Sequence, residues 1–276
     1  MKLERVVQFL VRIAPPRLAE DWDNVGLLVG DRREDCRHVM TCLTITPAVV
    51  DEAIEGKVDL IVAHHPLPFK PLSRLTTDSH SGMLLWRLIG NGIAVYSAHT
   101  AFDSAASGIN QAWAELLGLV DVEPLVPFAD GQAADLAKQD STKPDSMPWG
   151  AGRLGRLEGD MTIADVTAKA AQAVGATMPR VAGPADHPVR KLAIACGSGG
   201  GFLPAAIRAG CDGLLSGEAT FHVCLEAEAA GIGLGLIGHY ASERFSMERL
   251  ARLIGAEFAD LDVWASVNES DPIKRI

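Results

Sequence analysis

An α/β fold with central sheets is what the sequence predicts, on three observations. Six apolar runs read as buried strands, helix-like stretches lie between them, and one strand–helix–strand block recurs in a second copy. The chain has 276 residues, enough to bury a substantial core without covalent staples. Its 48% hydrophobic and 22% charged content is that of a soluble globular protein.

The N-terminus, "MKLERVVQFLVRIAPP", has an amphipathic helix pattern that stops at Pro15 and Pro16. Arg5, Gln8 and Arg12 interrupt its apolar run, so it predicts neither a signal peptide nor a membrane span. "DWDNVGLLVG" follows, with the polar and aromatic cluster Trp22, Asp23 and Asn24 ahead of a strand. That cluster is either turn chemistry with a core tryptophan or the lining of a pocket. The six strand-like runs are "VMTCLTI" around Cys42, "DLIVA" before His64, "GIAVYSA" before His99, "KLAIAC" before Gly197, "GLLS" before Gly217 and "GLGLIG" before His239. Helix patterns cover 47–55, 83–90, 108–117, 163–174, 203–209, 219–230 and 246–253. Residues 128–152 have few large apolar side chains and several turn formers, and read as a flexible loop.

The repeat is faint but ordered. "GKVDLIVAHHP" matches "AGCDGLLSGEA", with Asp59 and Asp212 at the same point ahead of a short apolar strand. Each block leads to a helix, a glycine-bearing strand, and then a histidine with an acid four residues on: His99 with Asp103, His239 with Glu243. This predicts duplication of one strand–helix–strand unit.

Net charge is −10 and the pI about 5.2, which argues against a nucleic-acid or anionic-membrane footprint. Five cysteines, with no C-x-x-C pair, argue against disulfide scaffolding and zinc ribbons and for a reducing, cytoplasmic compartment.

Chemistry concentrates at the carboxyl ends of the strands, where open α/β sheets bind ligands. A lone strand-end histidine is usually a structural hydrogen-bonding residue. The His64–His65 doublet together with two H-x-x-x-[DE] pairs favours metal instead. Neighbouring side chains on an extended strand point apart, so His64 and His65 suit two ions better than one. In a helix, His239 and Glu243 share a face, as do His99 and Asp103. Two divalent cations need several neutral imidazoles and a carboxylate able to bridge. His99 is either a ligand or a residue that orients one. Imidazole with carboxylate suits zinc, iron(II) or manganese.

"CGSGGG" sits between a strand and a helix. Gly197, Ser198, Gly199, Gly200 and Gly201 either hold an anion through backbone N–H groups or form a tight turn that needs small residues. Cys196 has no base assigned to it, which leaves no case for a nucleophile. Glu218 and His222, in "SGEATFH", occupy the repeat position of the histidine doublet and read as helix-start residues or as supports for a ligand.

Taken in order, "WDNVGLLVG", "VAHHPLPF", "SAHTAFD", "GRLGRL", "CGSGGG", "GCDGLLSGE" and "GHYASE" resemble the Nif-three-like proteins, often described as homologues of type-two GTP cyclohydrolase I. The resemblance covers nearly the whole chain. It implies one unit over 1–276 built of two intertwined, duplicated α/β halves with mixed sheets: a first half 1–125, a connecting segment 126–189, and a second half 190–276. It also implies a dinuclear metal site held by His64, His65, Asp103, His239 and Glu243, and a ring-shaped homohexamer. The stretch from Leu125 to Arg190 is too short for the inserted domain of long members, so this resembles the compact bacterial form. Tyr240 departs from the family pattern, which often has a second histidine there. The function expected is a metal-dependent hydrolase in which two ions supply a bridging hydroxide to a small-molecule substrate, a nucleotide or phosphorylated compound among the candidates. The rival expectation is a non-enzymatic oligomer that binds, stores or delivers metal.

Overall fold

The computed structural model describes residues 1–128 and 149–275, and the described chain divides into two compact units. Most of the loop expected at 128–152 therefore lies outside the described residues; near its end, Gly150 and Ala151 form a strand. No helix among the described residues is long and apolar enough to cross a membrane.

The first unit comprises Met1–Phe102 and Ser246–Pro272. Its helices are α1 (Leu3–Ile13), α2 (Pro47–Glu55), α3 (His80–Gly90) and most of α4 (His99–Ser104). Its sheet contains β1 (Gly26–Val29), β2 (His38–Cys42), β3 (Leu60–Ala63), β4 (Ala94–Ser97) and, from the far end of the chain, β13 (Asp262–Ala265). The strand order is β1-β4-β3-β2-β13, with β1 antiparallel and the rest parallel. Parallel strands covered on both faces read as unbroken apolar runs, which is why "LIVA" and "AVYS" are buried at every position. Helix α2 starts where chemistry dictates: the Thr46 hydroxyl accepts from the Val49 N–H at 3.3 Å, and Pro47 takes the first helical position. Val49, Val50, Leu84 and Leu88 pack from the helices onto Met40, Ile61 and Val95 of the sheet.

The second unit comprises Asp103–Phe245 and Ile273–Ile276. It holds α5 (Ile109–Leu117), β5 (Val120–Glu123), the two-stranded ribbon β6 (Val126–Pro127) with β7 (Gly150–Ala151), β8 (Arg153–Thr162), α6 (Ile163–Val174), β9 (Arg180–Ala182), β10 (Pro188–Ala195), α7 (Leu203–Arg208), β11 (Gly213–Ser216), α8 (Phe221–Ala230) and β12 (Gly233–Leu236). The last helix, α9 (His239–Glu257), begins here; from Ser246 on it belongs to the first unit. The six-stranded sheet runs β5-β8-β10-β11-β12-β9, parallel through β10, β11 and β12 and antiparallel at its flanks. Thr162 and Asp165 close a capping box at the start of α6, and Gly175 ends it in the left-handed region at φ +70°.

The repeat read in the sequence has a structural counterpart. The Asp59 carboxylate accepts from the N–H groups of Arg37 and His38, both at 2.8 Å. Asp212 does the same for Arg190 and Lys191, at 2.9 and 2.8 Å. In both units an aspartate ahead of the middle parallel strand ties down the start of the first.

Candidate metal centre

In the first unit, β3 stops at Ala63 but its neighbours hold the next two residues. The His64 N–H donates to the Cys42 carbonyl at 2.9 Å, the His65 N–H to the Leu43 carbonyl at 2.8 Å, and Ser97 Oγ donates to the His64 carbonyl at 2.7 Å. The doublet thus sits on fixed backbone at the carboxyl edge of the sheet. Its rings do not splay to opposite sides, because the chain bends beyond Ala63; their centroids are 5.2 Å apart. The His99 ring joins them at 5.2 and 5.5 Å. The ligand atoms of His64, His65 and His99 all lie within 4.8 Å of one another, a set that could hold a metal ion.

Two of these rings are oriented from behind. His65 Nδ1 pairs with the Thr44 hydroxyl at 2.7 Å, and His99 Nδ1 with Asp23 Oδ1 at 2.7 Å. A carboxylate on one ring nitrogen fixes the tautomer and turns the other toward a ligand position. Asp23 also accepts from the Thr100 hydroxyl, the Thr100 N–H at 3.1 Å and the Asn24 N–H at 2.7 Å. Burial pushes its carboxyl up, but the hydrogen bonds from His99 and Thr100 outweigh that and hold it at about 2. His99 has φ +25°, a backbone position costly for a non-glycine residue and typical of functional constraint. Trp22 and Asn24 border the cluster: Asn24 Nδ2 donates to the Pro68 carbonyl at 2.7 Å, and the Trp22 ring lies 5.9 Å from that of His99.

In the second unit, Gly238 has φ +93°, a conformation open to glycine, and there the chain turns from β12 into α9. His239 therefore opens a helix and Glu243 lies one turn on, with Nε2 and Oε2 3.1 Å apart. His239 Nδ1 meets Glu218 Oε1 at 2.9 Å, and Ser198 Oγ donates to the same oxygen at 2.6 Å. The bond to Glu243 raises His239 against the effect of burial, and with Glu218 it brings the imidazole to about 9. Asp103, in the last turn of α4, accepts from the Cys196 thiol at 3.3 Å. Burial and the negative charges of Asp103 and Glu243 push that thiol well above its ordinary range, so it acts as a neutral donor and not as a nucleophile.

The glycine loop is built around these side chains. Gly197 has φ +60°, and a Cβ there would lie 2.1 Å from Glu243 Oε1 and 3.4 Å from His239 Nε2. Gly199 and Gly200 approach Ala195 and Ala219 so closely that a Cβ would fall 2.6 and 2.7 Å from their methyl groups. Three loop amides have acceptors within the fold: Cys196 on Asn110 Oδ1 and Gly197 on Ser242 Oγ, both at 2.9 Å, and Gly200 on the Glu218 carbonyl at 3.3 Å. Close packing accounts for Gly197, Gly199 and Gly200, whereas a Cβ at Gly201 would meet nothing within 4 Å. His222 stands apart, exposed in the first turn of α8 with its ring 6.0 Å from Phe221.

Thr44, Thr100, Asn110 and Ser242 hold the candidate ligands or their loops, and sequence reasoning misses all four. Only Thr44 leaves a trace, as a polar residue just past the apolar run of β2. The imidazoles of His64, His65 and His99 are donors of a kind that could hold a metal ion.

Comparison with known proteins agrees with this architecture. The chain is 32% identical to a GTP cyclohydrolase 1 type 2 homolog of Clostridium perfringens, over 100% of both chains. The crystal structure of Staphylococcus aureus protein SA1388 superposes with a TM-score of 0.86 at 28% identity, over 100% of this chain and 99% of that one. A Bacillus cereus protein related to NIF3 shares the fold, with a TM-score of 0.89 at 24% identity over 100% and 99%. The model of the Duf34/NIF3 (NGG1p interacting factor 3) family matches residues 1–272, and the chain belongs to that family.

Proposed function

We propose that the protein is a dinuclear metal-dependent hydrolase with His64, His65, Asp103, His239 and Glu243 as metal ligands. The observation that carries this reading is the set of three imidazoles at the carboxyl edge of the first sheet, His64 and His65 as ligands and His99, locked by Asp23, as their neighbour. The His239–Glu243 pair, braced by Glu218, supplies the carboxylate chemistry that imidazoles alone lack. Two bound divalent ions would supply Lewis acidity and an activated water near neutral pH. The chain's own residues do the rest: Asp23 and Thr44 orient imidazoles, Cys196 donates to one oxygen of Asp103, and Gly197 leaves room for Glu243. The substrate class we favour is a nucleotide or phosphorylated small molecule, in keeping with the name of the Clostridium relative. By the same family resemblance we propose a cytoplasmic homo-oligomer, a hexamer in its full form.

Elemental analysis of protein purified without added metal tests the centre. About two ions per chain are expected in the wild type, and a clear loss in Asp103→Ala; unchanged stoichiometry in the variant would remove Asp103 from the ligand set. A hydrolysis screen over nucleotides and phosphoesters, with formate release from GTP as one readout, tests the activity. A metal-loaded protein inert throughout that screen would return the choice to a storage or scaffold role.

A further inference from the structure

Exposed aromatic surface adjoins the imidazole cluster of the first unit. Trp22 is 60% exposed and Phe69 47%. The two rings adjoin, and a contiguous exposed apolar surface beside a candidate reaction centre is of the kind that marks an interaction site. Their ring centroids lie 5.9 Å apart, and each ring stands edge-on to His99, at 5.9 Å for Trp22 and 6.1 Å for Phe69.

The placement is built, because hydrogen bonds of residues adjoining the one that orients His99 hold the two aromatic segments. Asn24 Nδ2 donates to the Pro68 carbonyl at 2.7 Å, tying the segment that carries Trp22 to the one that carries Phe69. Asp23, between Trp22 and Asn24, holds His99 Nδ1 at 2.7 Å. The Glu20 N–H donates to Thr100 Oγ1 at 3.0 Å, which anchors the approach to Trp22 from the other side. The aromatic pair and a candidate ligand therefore belong to one frame. Exposed aromatic rings gain from a flat π-rich partner, through stacking or edge contact.

We propose that Trp22 and Phe69 form a stacking platform for a planar aromatic ring of the nucleobase kind, carried by the molecule that the adjacent centre acts on. This rests on reading His64, His65 and His99 as part of that centre, and it adds to the nucleotide reading the surface that holds the base.

The test is calorimetric titration of the metal-loaded protein with guanosine and, separately, with D-ribose, which keeps the sugar and drops the ring. Guanosine should bind and ribose should not. Trp22→Ala should weaken guanosine about tenfold or more, Trp22→Phe should keep most of the affinity, and both variants should hold the same metal per chain as the wild type. Equal behaviour of guanosine and ribose, or guanosine binding untouched by Trp22→Ala, would overturn the platform. So would a change in oligomer mass on Trp22→Ala, which would assign the aromatic surface to a contact between copies. Failure of the two readings is separable. A protein that holds metal but ignores guanosine keeps the centre and loses the platform. One that binds guanosine through Trp22 but holds no metal does the reverse.

Discussion

β2, α2, β3, α3 and β4 in the first unit have counterparts in β10, α7, β11, α8 and β12 in the second. In each, three parallel strands lie side by side, an aspartate ties the start of the first, and a histidine follows the last. Both histidines have Nδ1 against a carboxylate, His99 on Asp23 and His239 on Glu218. The difference lies in what fills the other strand ends. The first unit places the His64–His65 doublet after its middle strand; the second places Gly217 and Glu218 there. After the first strand, one unit has Thr44 on His65, and the other has Gly197 making room for Glu243. The two units share a frame and differ at a few strand ends, where the first carries an imidazole pair and the second carboxylates.

The largest effect that would break this division is expected at Gly197. A methyl group there collides with Glu243 Oε1 and forces an L residue into the left-handed region. Gly197→Ala should lower metal affinity by about tenfold to a hundredfold, the usual cost of disturbing a ligand's support, measured by competition with a chelator. Metal retention at wild-type affinity would show that the second unit's carboxylate is dispensable.

Next come the two carboxylates behind the histidines. The Asp23 side chain is fully buried, whereas that of Glu218 is 43% exposed. Asp23→Asn should cost about 1–3 kcal/mol of unfolding free energy at pH 7, because buried donors lose their acceptor. Glu218→Gln should cost less than about 0.5 kcal/mol. The folded-state value of Asp23 lies near 2 against an ordinary 3.8. Its contribution is thus fully present above pH 3.8 and disappears as pH falls through 2, so wild type and Asp23→Asn should converge there in denaturant titrations. Equal losses from the two substitutions at pH 7 would erase the contrast between buried and open support.

The last effect concerns protons. His239 is raised from 6.5 to about 9 in the metal-free protein. Its charged form stabilises the fold fully below pH 6.5, and that contribution is lost as pH rises through 9. A ligand imidazole must be neutral, so metal uptake at pH 7 should release this proton, and apparent affinity should climb up to about tenfold per pH unit until about pH 9. Calorimetry in buffers of different ionisation enthalpy reads the proton count directly. No proton release at pH 7 would remove His239 from the ligand set.

Much of this frame is legible in the sequence because buried parallel strands are unbroken apolar runs, and because the residues just past them are polar. Asp59, Asp212 and the two H-x-x-x-[DE] pairs stand out for that reason. β8 does not: its antiparallel run "RLGRLEGDMT" mixes charges with glycines and is buried mainly near its start. β13 escapes because it pairs with β2, more than two hundred residues away in sequence. α9 is longer at its N-terminus than the pattern over 246–253, since the passage from strand to helix at Gly238 leaves no capping signal. The Asp23–His99 bond spans 76 positions, and no local pattern reports such a pairing.

The ribbon of β6 and β7 sets Pro127 and Gly150 side by side. The buried Arg153 guanidinium donates to the carbonyls of Gly150, Gly152 and Ala105 and to Gln111 Oε1. The chain leaves and re-enters the second unit at adjacent, riveted points, so whatever is spliced between them strains neither side, and doubling its length costs only about 0.6 kcal/mol of closure entropy.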